Sequence, residues 1–242
     1  MSYRYPRLTL LAFSITAASA LGSGCGSDIF DVDVDLQKQV YTTDFGATQG
    51  TLPVIPCDVS APQTCGAGIA LAPVESSGVR ADVQLGCDGT SLQCFAQAHL
   101  VGTNAVNVLQ DDAFVTKVER RSVTIVRKAD LAYQVPVNTL TFDIPEIQIF
   151  VGPAGSTSET DPGVVSVGVT GRLTAGTTLD AASAGHVVVA DKSPAHDFIQ
   201  SSIIDKQTLV FLLVADPRMD AGAAMPAGAL EIDLIPKLTV GF

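Results

Sequence analysis

Tryptophan is absent from the 242 residues, and aromatic side chains of all kinds make up only 6%. Sugar-binding and single-strand-binding surfaces rest on aromatic stacking platforms. Past residue 24 the only tyrosines are Tyr41 and Tyr133, so the composition speaks against both classes. Charge is sparse, at 16% of residues against roughly 25% in an average soluble domain. What charge there is leans one way: 25 acids face 14 bases, for a net charge of −11. Such a surface repels phosphate backbones and argues against a nucleic-acid partner. Beyond the leader no apolar run reaches the about 18 residues of a membrane-spanning helix; the densest, Leu209 to Ala215, has strand length. Catalytic signatures are missing too. There is no Gly-x-Ser-x-Gly elbow, no His-Glu-x-x-His pair and no Gly-x-x-x-x-Gly-Lys-Ser/Thr phosphate loop. These absences predict a protein without a cofactor and without an enzymatic centre.

Hydrophobic residues nevertheless reach 47%, enough for a core and too many for a disordered chain, and 21 Gly with 13 Pro supply turns. The amino terminus carries Arg4 and Arg7 and no acid, then an apolar stretch from Leu8 to Ala20. A basic start followed by a short apolar run predicts a signal peptide over residues 1–24. Its removal takes both arginines away and makes the net charge more negative still. Two cleavage readings stand side by side. Ala18-Ser19-Ala20 fits the small-x-small pattern of an ordinary signal peptidase. The segment Leu21-Gly22-Ser23-Gly24-Cys25-Gly26-Ser27 resembles the lipobox of bacterial lipoproteins, although Leu21 sits four rather than three residues before the cysteine. The resemblance implies a lipid on Cys25, a short tether over residues 25–28, and, because Gly26 rather than an acid follows, sorting to the outer membrane. It thus implies a bacterial cell-envelope protein held to the membrane by its amino-terminal lipid, with a periplasmic or secreted location as the alternative.

Cysteine arithmetic agrees with lipidation. Five cysteines leave one over in an oxidising compartment, and if Cys25 carries lipid the other four pair. Cys57 and Cys65 bracket one turn-like segment and Cys87 and Cys94 another. Asp88-Gly89 is a hairpin signal, because glycine accepts positive φ. These features predict the local pairs Cys57–Cys65 and Cys87–Cys94. Zinc would want closer Cys-x₂₋₄-Cys spacing.

Strict alternation marks the strands. Phe30, Val32, Val34 and Leu36 alternate with polar residues, and Leu230, Ile232, Leu234, Pro236, Leu238, Val240 and Phe242 share one face of a long carboxyl-terminal segment. Pro236 suggests an edge strand there. Parity changes at Pro145-Glu146, which predicts a bulge or kink. Further strands are expected at 79–85, 93–101, 123–127, 164–169, 187–190 and 208–214. One helix is expected near residues 194–206, opened by Ser193-Pro194 and carrying Ala195, Phe198, Ile199 and Ile203 at helical spacing. The fold class is therefore all-β: an antiparallel β-sandwich with one short capping helix, as a single domain over residues 29–242. The Gly/Pro/Ser/Thr stretches 152–163 and 173–185 read as connecting loops.

Candidate sites are few. Asp31, Asp33 and Asp35 lie on one strand face at roughly 7 Å spacing, too spread to share a cation. Asp111, Asp112 and Asp161 remain calcium candidates in loops, along with Asp191, Asp216 and Asp220, each equally a turn former. The three histidines, His99, His186 and His196, read as surface or capping residues. The expectation is a lipid-anchored, non-enzymatic binding or structural module with an unknown protein or small-ligand partner. A β-barrel carrier of a small ligand or lipid is the alternative, and a hydrolase built on one of the histidines is the third.

Overall fold

Alternation in sequence becomes alternation of burial. In β1 (Asp31–Asp35) Val34 is buried and the three aspartates are exposed. In β12 (Ala229–Gly241) Leu230, Ile232, Leu234, Leu238 and Val240 all face the core. The computed structural model describes residues 31–46, 50–60, 65, 75–77, 79–118 and 121–242. The signal peptide, Cys25 and its tether lie outside the described residues.

Two six-stranded antiparallel sheets face each other. The first places β3 (Glu75–Ser77), β2 (Gln39–Asp44), β12, β6 (Ile125–Asn138) and β9 (Gly185–Val188) side by side, with β1 also on β12. The second runs through β11 (Arg218–Met219), β5 (Cys94–Asn107), β10 (Thr208–Ala215), β7 (Gln148–Gly152) and β8 (Val165–Val169), with β4 (Val79–Cys87) also on β5. The sheets are not closed into a barrel, so the architecture is an all-β sandwich and the barrel underlying the carrier alternative is not formed. Leu131 and Leu234 from one sheet meet Ile149, Leu209 and Phe211 from the other in one continuous core. Tyr41 crosses the gap: its hydroxyl donates to the Phe211 carbonyl at 3.0 Å, and burial pushes its pKa upward.

The predicted helix forms as α2 (Pro194–Ile204), with Ser193 capping it through a bond from the His196 N–H at 3.1 Å. Ala195, Ile199 and Ile203 bury against β6, β7 and β8, which closes the sandwich between its sheets. A second helix, α1 (Asp112–Val118), has no counterpart among the sequence expectations; it buries Phe114 and Val118 at i and i+4.

Three sequence expectations are corrected. The first concerns Pro236. It does not sit on an edge, because β12 lies between β6 on one side and β1 with β2 on the other. The Pro236 carbonyl accepts from Leu36 N–H at 2.8 Å, so its ring nitrogen faces the junction where β2 takes over from β1 and the ladder is interrupted. The second concerns the β4–β5 turn, where Leu92 rather than Gly89 holds the left-handed backbone, with φ of 51°.

The third is the disulfide pairing. The bridges are Cys57–Cys87 and Cys65–Cys94, not Cys57–Cys65 and Cys87–Cys94. Cys87 and Cys94 are indeed cross-strand neighbours. However, the segment before them docks on the hairpin: Cys57 N–H donates to Leu92 O and Cys94 N–H to Ile55 O. That docking brings each incoming cysteine close to a hairpin cysteine, at Cα separations of 5.8 and 5.6 Å. Two bridges therefore staple a loop to a hairpin, where the predicted pairs would have closed two small rings.

Candidate functional site

The stapled tip of the sandwich is heavily braced. Asp88 in the β4–β5 turn accepts from Thr90 N–H at 3.0 Å and Ser91 N–H at 2.8 Å through one oxygen. Its other oxygen accepts from Arg218 at 2.6 Å. The Ser91 amide, then Arg218, hold the Asp88 carboxyl well below the usual carboxylate range. Arg218 also donates to Asp220 at 2.8 Å and lies 3.9 Å above the centre of the Phe95 ring. A shallow cleft of about 220 Å³ opens beside this arginine, lined by Asp88, Gln93, Cys94 and Asp220 among others. Among the described residues the one group with metal-ligand spacing is Cys57, Cys65 and Cys94. All three are engaged in disulfides.

Two of the calcium candidates, Asp111 and Asp161, serve locally. Asp111, almost completely buried, caps α1 by accepting from Phe114 N–H at 2.8 Å, and its other oxygen accepts from Gln37 N–H in the β1–β2 connection. Asp112 is the first residue of the same helix. Asp161 folds its own loop by accepting from Thr157 N–H at 2.7 Å and Ser158 N–H at 3.0 Å, which lowers its pKa. Turn and cap chemistry accounts for the side chains of Asp111 and Asp161.

The histidines have separate surroundings. His99 stands on the outer face of β5, with Nδ1 2.7 Å from Asp216 and Nε2 3.5 Å from Glu159. His186 on β9 contacts Asp130 at 3.0 Å. His196, for which a surface or capping role is expected, is buried rather than at the surface, because the first turn of α2 packs on the start of β6 and its Nε2 meets the Val126 carbonyl at 3.0 Å. It borders a groove of about 360 Å³ with Arg127, Asp191, Lys192, Asp197 and Gln200. Among the described residues no hydroxyl bonds to any imidazole, so the nucleophile–base pair that a hydrolase triad needs is not assembled there.

The loop over 152–163 does more than connect strands. Val164 at its end packs on a second small cluster of Val101, Val210, Leu212 and Val214 on the outer face of the second sheet. Glu159 reaches His99 from the same loop. Composition concealed this, because one valine and one glutamate do the anchoring. Among the described residues, one half-open pocket between the sheets has a volume of about 40 Å³ and is lined by Tyr41, Leu100, Ile144, Leu213 and Ile232 among others. A pocket for a drug-sized ligand takes roughly 300–1,000 Å³.

No family model and no curated protein matches the chain. Among solved structures it has a slight likeness to a chain of "CryoEM structure of Mud Crab Dicistrovirus", at 12% identity, 99% coverage of this chain, 89% of that chain and a TM-score of 0.24. A likeness of that size bears on neither fold nor function.

Proposed function

We propose that this chain is an exported bacterial lipoprotein whose disulfide-stapled β-sandwich is a non-enzymatic binding or structural module of the cell envelope. The observation that carries the reading is the cysteine pairing. Cys57, Cys65, Cys87 and Cys94 are consumed by one another, which leaves Cys25 as the one cysteine without an internal partner by count. Stable disulfides also belong to an oxidising compartment, as the predicted signal peptide requires. Asp31, where β1 begins, follows Cys25 closely in the chain. A fully extended tether of that length spans about 20 Å, so the sandwich would ride close to the lipid surface. The two sheets are not closed into a barrel, which takes support from the carrier alternative.

Metabolic labelling with radioactive palmitate and detergent phase partitioning test the anchor. The wild-type chain should take up label and partition into detergent, and Cys25→Ser should do neither. A Cys25→Ser chain that stays membrane-bound with unchanged electrophoretic mobility would sink the reading.

A further inference from the structure

Two disulfides meet at the stapled tip. The Sγ atoms of Cys57, Cys65 and Cys94 all lie within 4.8 Å of one another, although Cys57 belongs to one bridge and the other two to its neighbour. Cys87, the remaining member, sits directly opposite Cys94 in the β4–β5 ladder. The Cys94 amide turns away from β4 to Ile55, and the next pair towards the turn is joined by Asp88 N–H donating to Gln93 O. Cys87 and Cys94 therefore form a non-hydrogen-bonded pair, with Cα atoms about 4.5 Å apart and both side chains on one face of the hairpin. That separation lies within disulfide range. Each cysteine of one bridge thus has a cysteine of the other within reach: Cys57 has Cys65, and Cys87 has Cys94. Access is unequal. Cys65 and Cys94 are fully buried, whereas Cys57 and Cys87 are partly exposed.

We infer that the tip is a thiol–disulfide exchange site, at which a small external thiol opens the Cys57–Cys87 bridge and the buried bridge behind it completes a rearrangement. The external thiolate attacks Cys87 Sγ and bonds to it, while the Cys57–Cys87 bond breaks and its electron pair leaves on Cys57. The Cys57 thiolate then attacks Cys65, and the electron pair of the Cys65–Cys94 bond leaves on Cys94. Finally the Cys94 thiolate attacks Cys87 across the ladder and expels the external thiolate. Entry at Cys57 runs through the same contacts in the other order: the freed Cys87 takes Cys94, and Cys65 takes Cys57. Both routes convert the resting pairs Cys57–Cys87 and Cys65–Cys94 into Cys57–Cys65 and Cys87–Cys94. Every bond broken is replaced by one formed, nothing is oxidised or reduced, and the external thiol is returned. Exchange unstaples the segment around Cys57 from the hairpin. Its docking then rests on main-chain bonds alone, Cys57 N–H to Leu92 O and Cys94 N–H to Ile55 O. The tip thus has a locked and a releasable covalent state, and the ambient thiolate concentration sets how fast they interconvert.

Peptide mapping of the purified full-length mature chain carrying Cys25→Ser tests the inference; that change removes the fifth thiol, so the outcome is independent of a lipid there. The chain is held under folding conditions with a substoichiometric amount of reduced glutathione, quenched in acid, alkylated and cleaved at aspartate. Asp58, Asp82 and Asp88 stand between the four cysteines, so that cleavage separates all of them. Without glutathione the map should show only Cys57–Cys87 and Cys65–Cys94. With it, peptides linking Cys57 with Cys65 and Cys87 with Cys94 should appear together in equal amounts, about twice as fast when the thiol is doubled. The free thiol should stay equal to the amount added. Four cysteines allow a third pairing, Cys57–Cys94 with Cys65–Cys87; it should form when the same exchange is run in denaturant and stay absent from the folded chain. Replacing Cys65 and Cys94 together by alanine should stop the reaction at a glutathione adduct on Cys57 or Cys87. Where that variant does not fold, replacing Cys57 and Cys87 together by alanine serves instead, and its buried bridge should take no adduct. A folded chain whose map glutathione leaves unchanged, or whose bridges are reduced without rearranging, overturns the inference. The appearance of all three pairings in the folded chain overturns it as well.

Discussion

Arg218 donates to Asp88 at 2.6 Å across 130 residues of sequence, tying β11 to the β4–β5 turn. The same guanidinium covers Phe95, whose neighbour in the hairpin, Cys94, enters its bridge to Cys65. Turn, arginine and disulfides thus form one brace at the tip of the sandwich.

The brace should weaken in acid. The Asp88 pKa is lower in the folded chain than in the unfolded one. Its contribution is therefore complete above the unfolded carboxylate range, near about pH 4, and fades as pH falls through the folded value. Asp88→Asn should lower the melting temperature at neutral pH, and the gap to wild type should close as pH is taken below about 4. A gap that persists undiminished into strong acid would assign the effect to something other than the carboxylate charge.

Each disulfide closes a long loop, with sequence separations of 30 and 29. On the chain-entropy account a loop of that size contributes about 3.6 kcal/mol, against about 2.6 for rings of roughly eight or nine residues. Replacing Cys57 and Cys87 together by alanine should cost about 3–4 kcal/mol in denaturant titration. Non-reducing digestion should yield one peptide linking Cys57 with Cys87, another linking Cys65 with Cys94, and none linking Cys57 with Cys65.

The Asp111 carboxylate accepts from two backbone amides, those of Phe114 and Gln37, and so joins α1 to the β1–β2 connection. Asp111→Ala should destabilise the fold by about 1–3 kcal/mol, through the lost cap and the orphaned donors. Because the carboxylate is occupied by backbone, millimolar calcium should leave the wild-type melting temperature unmoved.

Gly228 has a φ of +93°, and a Cβ there would collide with the Thr139 carbonyl. Backbone cannot swing aside as a side chain can, and Gly228 is held by main-chain bonds with Phe45 and Gly46. Gly228→Ala should cost about 2–4 kcal/mol, well beyond the ordinary penalty for alanine at positive φ. Gly171→Ala, with nothing within 4 Å of its Cβ, should be close to neutral in the same thermal melt.

Secondary structure is legible in the sequence where it is a local property. Period-two alternation locates β1 and β12 from their own residues, a continuous apolar run locates β10, and Ser193-Pro194 marks the start of α2 by cap and ring chemistry alone. The β2 strand is hidden because Gln39 and Thr43 take core-facing positions that apolar residues usually fill. The α1 helix is hidden because Asp111-Asp112 reads equally as cap, turn or cation ligand until Gln37 is seen beside it.

What the sequence by itself determined is the alternation that builds two sheets and the odd number of cysteines, both countable along the chain. Tertiary structure alone decided who meets whom. Cys57 finds Cys87 because a docked segment, rather than a short ring, sets the Cα separation. Pro236 is tolerated in a central strand because two neighbouring strands change over opposite it. His196 is buried because a helix end closes on β6. Each depends on contacts between residues distant in sequence, whose geometry no local pattern encodes.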